Sequence, residues 1–340
     1  MIKFFIASVT GLLTCLFMNM AFAHDKVVVI PMGSVGKLNH VVTVSVAGGD
    51  FTDPVAAVES ITDASETNPY LVMIGPGIYV LTETLVMKQY VSISGSGQGT
   101  TILTGSINGG SLDASSALIS GASNASLSNL TLENIVDGSI AIAFYNNTSS
   151  PAIHNVTVSA SASSTVPMSA PSSYGIYNNS SSPDMNNIDI SSTGGDSATG
   201  VYNNSSSPTM ANVTISASGG KASTGIHNIA SAPEMNNIDV SSTSAYVSAG
   251  VTNESSSAPI MTNMNITSSG PLMAFDVSND GNSTTEIRYS RAAGGITVWN
   301  GTVRIIQSSI LGGVGGGGTK ICLSSDNGVD KEFDTSCAEL

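Results

Sequence analysis

Gly175-Ile176-Tyr177-Asn178 returns as Gly200-Val201-Tyr202-Asn203, then as Gly225-Ile226-His227-Asn228 and Gly250-Val251-Thr252-Asn253, each copy 25 residues after the last. An earlier copy, Ala143-Phe144-Tyr145-Asn146, stands 32 residues before the first. Behind each copy comes a proline (Pro151, Pro183, Pro208, Pro233, Pro259), then an apolar residue (Ile153, Met185, Met210, Met235, Met261), then an asparagine (Asn155, Asn187, Asn212, Asn237, Asn263). The asparagine opens a short alternating run, such as Ile188-Asp189-Ile190 or Val213-Thr214-Ile215. Runs this short make no stable sheet alone, but wound as a coil each stacks on its own copy one turn later, about 4.8 Å away. Alternation then places Ile188, Val213, Ile238 and Met264 inside, with Ile190, Ile215, Val240 and Ile266 beside them, and turns Asp189, Thr214 and Asp239 outward. The asparagine column falls at the turn entering this strand, where Asn tolerates left-handed backbone and its amides can bond from coil to coil.

A fixed period of this length marks a solenoid. A propeller needs blades of about 40 residues, and a leucine-rich horseshoe needs a Leu framework that is missing. The expectation is an all-β, right-handed parallel β-helix of about eleven coils running from about Val41 to Gly318. Insertions fall between the alternating runs: seven residues between Ser159 and Tyr174, and one between Asn253 and Pro259. Asp53-Pro54 followed by Val55 to Ile61 carries a helix start signal and reads as a capping helix over the first coil. Gly312 to Gly318 reads as a flexible hinge, with residues 319–340 a small separate tail.

Composition excludes other classes. The 340 residues hold only 10 Lys+Arg against 24 Asp+Glu, a formal charge of −14. Such a chain has no basic footprint for nucleic acid. Charged residues are 10% of the chain, too few for long helices or coiled coils. Met1-Ile2-Lys3, the apolar run from Phe4 to about Met20 and Ala21-Phe22-Ala23 form a signal-peptide pattern over residues 1–23, with cleavage expected before His24. No basic stop-transfer cluster follows, so no transmembrane anchor is expected after cleavage. Removing that segment takes away Lys3 and no acid, leaving 9 basic and 24 acidic side chains and a charge of −15. Of the three cysteines, Cys322 and Cys337 remain; in an exported chain they read as one disulfide closing the C-terminal segment. The layout is therefore a signal peptide (1–23), a β-helix (24–318) with an N-terminal cap (24–70), and a disulfide-closed tail (319–340).

Val72-Met73-Ile74-Gly75-Pro76-Gly77-Ile78-Tyr79, Gly95-Ser96-Gly97 and Thr101-Ile102-Leu103-Thr104-Gly105 resemble the first coils of pectinesterase-type proteins. With the central Gly-Ile-Tyr-Asn and Pro-x-Met-x-Asn coils, the chain resembles the pectin-lyase-like right-handed parallel β-helix superfamily, and within it secreted bacterial β-helix repeat proteins without an assigned activity. The resemblance implies the fold; the superfamily spans lyases, esterases, hydrolases, tailspikes and adhesins, so it implies no single activity.

Resemblance to the enzymes of that superfamily directs attention to outward acids with a nearby basic residue. The outward column reads Thr131, Thr157, Asp189, Thr214, Asp239, Asn265 and Arg288. Asp189 and Asp239 lie two coils apart, about 9.6 Å. That gap is too wide for one calcium ion, whose ligands sit about 2.3–2.6 Å away, and for a retaining carboxylate pair at about 5–5.5 Å, and only marginally within reach of an inverting pair at up to about 9.5 Å. The polygalacturonase-like and pectinesterase-like motifs are absent. Tyr145, Tyr177, Tyr202 and His227 form a second outward column, a candidate platform for sugar faces or a packing stripe. The reading that follows is a secreted, non-enzymatic extracellular or cell-surface module, structural or glycan-binding, without metal or cofactor. The alternative is a polysaccharide-active enzyme of pectate-lyase or pectinesterase type using Asp189, Asp239 and Arg288, with Ca²⁺ in the lyase case. Neither the ligand nor the oligomeric state is written in the sequence.

Overall fold

The computed structural model describes residues 40–163, 170–327, 333 and 336–338. The signal-peptide expectation lies outside these residues, as does part of the insertion between Ser159 and Tyr174.

Among the described residues two all-parallel sheets carry the chain. The first has sixteen strands, and twelve of them follow one another in an unbroken series from His40–Val44 to Thr319–Leu323. The second has ten, from Leu85–Val86 to Val314–Gly315. From Tyr70–Ile74 onward the chain alternates between them, so each circuit up to Thr319–Leu323 contributes a rung to both, as a parallel β-helix requires. The central period is the one read from the repeat: Asp189 pairs with Thr214 and Thr214 with Asp239. The last coils are shorter. Ser290 meets Ser308 eighteen residues on, and Ser308 meets Ser325 seventeen residues on. Longer early steps, such as Ile93 to Leu127 and Ile153 to Met185, offset this shortening, so the twelve rungs still enclose eleven turns.

The core runs along the axis as ladders of like side chains. Ile153, Met185, Met210, Met235, Met261, Ile287, Ile305 and Cys322 are register partners in that order. All are at most 2% exposed, as are nearly all members of the two aliphatic columns beside them. Flexible thioethers suit such a column because each can adjust to the copy above and below. The facing second sheet approaches closely at Gly175, Gly200, Gly225 and Gly250. A Cβ on Gly200 would strike the Ile215 side chain and stand 2.6 Å from the Gly225 carbonyl oxygen.

The expected capping helix is present as Pro54–Ser60, with the Asp53 side chain accepting from the Val55 amide at 2.9 Å and Val55, Ala57 and Val58 buried. The other end differs from expectation. Val314–Gly315 pairs with Ile296–Val298, and Thr319–Leu323 with Thr302–Ile306, so the Gly312–Gly318 stretch is built into the last coil and the ladder continues past Gly318. Glycines there leave room for backbone: a Cβ on Gly312 would stand 2.5 Å from the Gly295 nitrogen. Cys322 bonds Cys337, and Phe333 and Cys337 join the core cluster, which closes its C-terminal end.

Two corners of each coil are left-handed. One is the asparagine column, with φ from 52° to 58° at Asn129, Asn155, Asn187, Asn212, Asn237 and Asn263. Its amides are exposed, and each donates to the coil before: Asn155 to Asn129 at 3.1 Å, Asn187 to Asn155 at 2.7 Å, Asn237 to Asn212 at 2.7 Å and Asn263 to Asn237 at 3.0 Å. Asn212 breaks the pattern by reaching Asn186 at 3.4 Å. The other corner holds Thr148, Ser180, Ser205, Ala230 and Ser255. Just before it lies a second, fully buried amide ladder made by the asparagine of the Gly-Ile-Tyr-Asn repeat itself. Asn146 donates to Asn178 at 2.8 Å, Asn178 to Asn203 and Asn203 to Asn228 at 2.9 Å each, Asn228 to Asn253 at 2.8 Å, and Asn253 to Asn279 at 3.0 Å. The first acceptor, Asn146 Oδ1, has no donor among the described residues, because the preceding coil carries Gly121 there.

Burial makes the two ladders unequal. Asn203→Ala leaves the Asn178 amide and the Asn228 carbonyl unpaired in the core and is expected to cost about 3 kcal/mol. Asn212→Gly, which keeps the left-handed freedom at an exposed rung, is expected to cost about 1 kcal/mol or less. Equilibrium denaturation of the two variants measures the difference; equal losses would contradict it.

Candidate functional site

The acidic column of the first sheet is as widely spaced as the sequence suggested. Thr214 stands between Asp189 and Asp239, so the two carboxylates belong to rungs two apart. The basic member of the column is different. Asn265 pairs with Arg291, whereas Arg288 pairs with Thr262, in the neighbouring column. Placing Arg288 beside Asn265 assumed too short a coil; matching Ile287 to Met261 in the core ladder gives the right register. Arg288 instead bonds Glu286 on its own strand, and Glu286 also meets Arg304 at 3.3 Å. Arg288 is thereby engaged in a surface ion network away from both aspartates.

The aromatic column lies on the outer face of the second sheet. Tyr145 and Tyr177 are 5.6 Å apart with planes 34° apart; Tyr177 and Tyr202 stack at 4.7 Å and 19°. For Tyr177 and Tyr202 a separation near the coil spacing, with nearly parallel planes, means that the ring faces point along the axis at one another. Tyr174, which the repeat did not single out, packs edge-on against Tyr177 and Tyr202 at 5.4 and 5.8 Å. Tyr145 and Tyr177 are buried, and what the column offers to solvent is chiefly the partly exposed Tyr202 and His227. Burial drives the Tyr177 hydroxyl up to about 12. His227 ends the column, edge-on to Tyr202 at 5.1 Å, with its Nε2 3.5 Å from a Glu254 carboxylate oxygen. Desolvation lowers the His227 pKa and outweighs the opposing pull of Glu254.

One buried carboxylate escaped the sequence reading. Asp276 takes the place that Gly175, Gly200, Gly225 and Gly250 hold in earlier coils: a Cβ on Gly250 would stand 2.6 Å from the Asp276 carbonyl oxygen. It fits because the facing column narrows there, Ile266 being followed by the small Ala292 before the column resumes at Ile310. Its carboxylate accepts from Ser268 Oγ at 2.7 Å and from the Gly294 amide. Burial raises its pKa against the opposing effect of those bonds.

A polar groove of about 480 Å³ runs along the asparagine corner near the C-terminal coils. Its wall is the outward column from Asp239 through Asn265, Arg291 and Ser309 to Asp326, each a register partner of the next. Its rim is the corner column, where Asn263 is followed by Tyr289 and Gln307 in the same left-handed backbone, φ 49° and 47°. Asn265 donates to Asp239 at 3.2 Å, and Arg291 makes no ion pair among the described residues. No group of three or more His, Cys, Asp or Glu suited to a metal ion occurs among the described residues.

No protein-family model matches the chain, and no curated protein matches it. Solved structures do. The Dettilon tailspike protein superposes with a TM-score of 0.52 at 11% identity, over 80% of this chain and 55% of that one. The fold is a right-handed parallel β-helix. A pectin methylesterase from Aspergillus niger (TM-score 0.47, 15% identity, 88% of each chain) and the A-module of a mannuronan C-5 epimerase from Azotobacter vinelandii (0.45, 12%, 81% of this chain and 91% of that one) are also similar to it. At these identities the likeness shows architecture and carries no residue across.

His227 and Asp276 predict opposite pH effects. His227 has a depressed folded-state pKa, so its contribution to stability is present above its unfolded value of about 6.5 and is lost as pH falls below it. His227→Asn is expected to flatten the stability curve between pH 7 and 5. Asp276 has a raised pKa, so its contribution is present below its unfolded value of about 3.9 and is lost as pH rises through the folded value. An amide can accept from Gly294 and donate to Ser268, so Asp276→Asn is expected to melt higher than wild type at pH 7, with the gap closing as pH falls toward 4. Melting temperatures across that range check both.

Proposed function

We propose that this chain is an exported, non-enzymatic β-helix module that binds or organises glycan outside the cell. The observation that carries this reading is the spacing of its outward carboxylates: Asp189 and Asp239 stand two rungs apart with Thr214 between them and Arg288 in another column. Two rungs, about 9.6 Å, is too wide for carboxylates sharing one calcium ion or for a retaining glycosidase pair, and stands at the outer limit of about 9.5 Å for an inverting pair. Alternating acid and threonine along one column relieves like-charge stacking, which is a structural purpose. The Cys322–Cys337 disulfide supports an oxidising compartment, in keeping with the leader pattern of residues 1–23. No helix among the described residues is long and apolar enough to cross a membrane. Glycan as the partner is supported by the open polar groove and by the carbohydrate-related names among its structural neighbours.

The alternative, a polysaccharide lyase or esterase, is tested directly. Purified protein is incubated with polygalacturonate, methylated pectin and alginate, with and without Ca²⁺, and unsaturated products, methanol and reducing ends are measured. No turnover is expected above that of an Asp189→Asn/Asp239→Asn double variant. Turnover in wild type that the double variant loses would overturn the non-enzymatic reading.

A further inference from the structure

The corner column carries a feature that folding does not require. Six coils place Asn at this left-handed position, where its short amide suits the backbone and bonds the next rung. The next coil places Tyr289 there, φ 49°, with 58% of its surface exposed and no aromatic partner among the described residues. A bulky residue in this region is a backbone outlier, and here more than half of the side chain is left in solvent. The substitution also ends the amide ladder, leaving Asn263 Oδ1 without the donor that the next asparagine would have supplied. Such a local departure, on a rung otherwise in register, points to use of the side chain.

Its surroundings say what for. Tyr289 lines the groove together with Arg291, two residues on, and with Asn263 and Gln307 on the rungs before and after it. Asn263, Tyr289 and Gln307 each carry both a donor and an acceptor, one residue per rung at about 4.8 Å. The charge pattern is symmetric: Asp239 lies two rungs before Arg291 and Asp326 two rungs after it. One guanidinium between two carboxylates, on a chain of net charge −14, disfavours a polyanion. An extended chain of neutral sugars fits: hydroxyls can satisfy both donors and acceptors, and an exposed ring can cover an apolar sugar face.

We propose that this groove is a neutral-glycan binding site in which Tyr289 supplies the stacking face and Arg291 the principal hydrogen-bond donor. The proposal rests on the glycan-binding reading above and assigns its site and its ligand class. The decisive variant is Tyr289→Asn, which removes the ring, returns the corner to the residue its neighbours use and extends the amide ladder. It is expected to melt at or above the wild-type temperature while binding glycan at least tenfold more weakly. Isothermal titration would use cello-, malto-, xylo- and mannohexaose, with hexagalacturonate as the acidic probe, against wild type, Tyr289→Asn, Arg291→Gln and the remote Thr193→Ala. At least one neutral hexasaccharide is expected to bind wild type and Thr193→Ala alike, with little dependence on salt, and to lose at least tenfold in both groove variants. Neutral binding unchanged in the groove variants, or preference for hexagalacturonate with steep salt dependence, would overturn the groove assignment while leaving glycan binding standing. Absence of binding to every probe would overturn both.

Discussion

Parallel registration of identical side chains is the constraint on which the whole molecule depends. A rung of this helix is too short to hold itself together, and its polar backbone is satisfied only by the rungs above and below. That demand propagates outward from the sheets. Once one residue is in register, its copy one turn later sits directly over it, so the side chain at each position must tolerate itself as a neighbour. Methionine, isoleucine and valine do so by dispersion, asparagine by amide bonds, tyrosine by stacking. Carboxylates do not, and threonine separates them along the outer column.

The two asparagine ladders show how burial sets the weight of one interaction. Both run head to tail, but in opposite senses: the exposed amides donate to the coil before and the buried ones to the coil after. On the surface, water replaces a missing bond; inside, an orphaned amide bears its full desolvation cost. The inner ladder therefore matters more to stability, although the outer one is easier to see as a pattern, because it precedes the alternating strands.

Where the repeat changes, several positions change together. At the coil containing Asp276, a glycine becomes an acid, the facing isoleucine becomes Ala292, the corner asparagine becomes Tyr289, and the period soon shortens. The central coils are a uniform scaffold, and chemical individuality gathers toward the C-terminal end. There the groove opens, and beyond it the disulfide and Phe333 seal the core.

The sequence by itself determined the winding, since a period of 25 residues leaves the backbone only one economical way to bond its copies. It also determined the inward and outward faces, the capping helix at Asp53-Pro54 and the separation of Asp189 from Asp239, all of which follow from counting along the chain. Tertiary structure decided what counting cannot reach. Arg291 rather than Arg288 stands beyond Asn265, because bond register through the Met261–Ile287 pair sets the column and the coil length varies. The Gly312–Gly318 stretch belongs to the last coil because neighbouring backbone leaves no space for side chains at several of its positions. The tyrosines turn their faces toward one another, and Asp276 finds room inside, because both outcomes depend on what the adjacent rung and the opposite sheet place there.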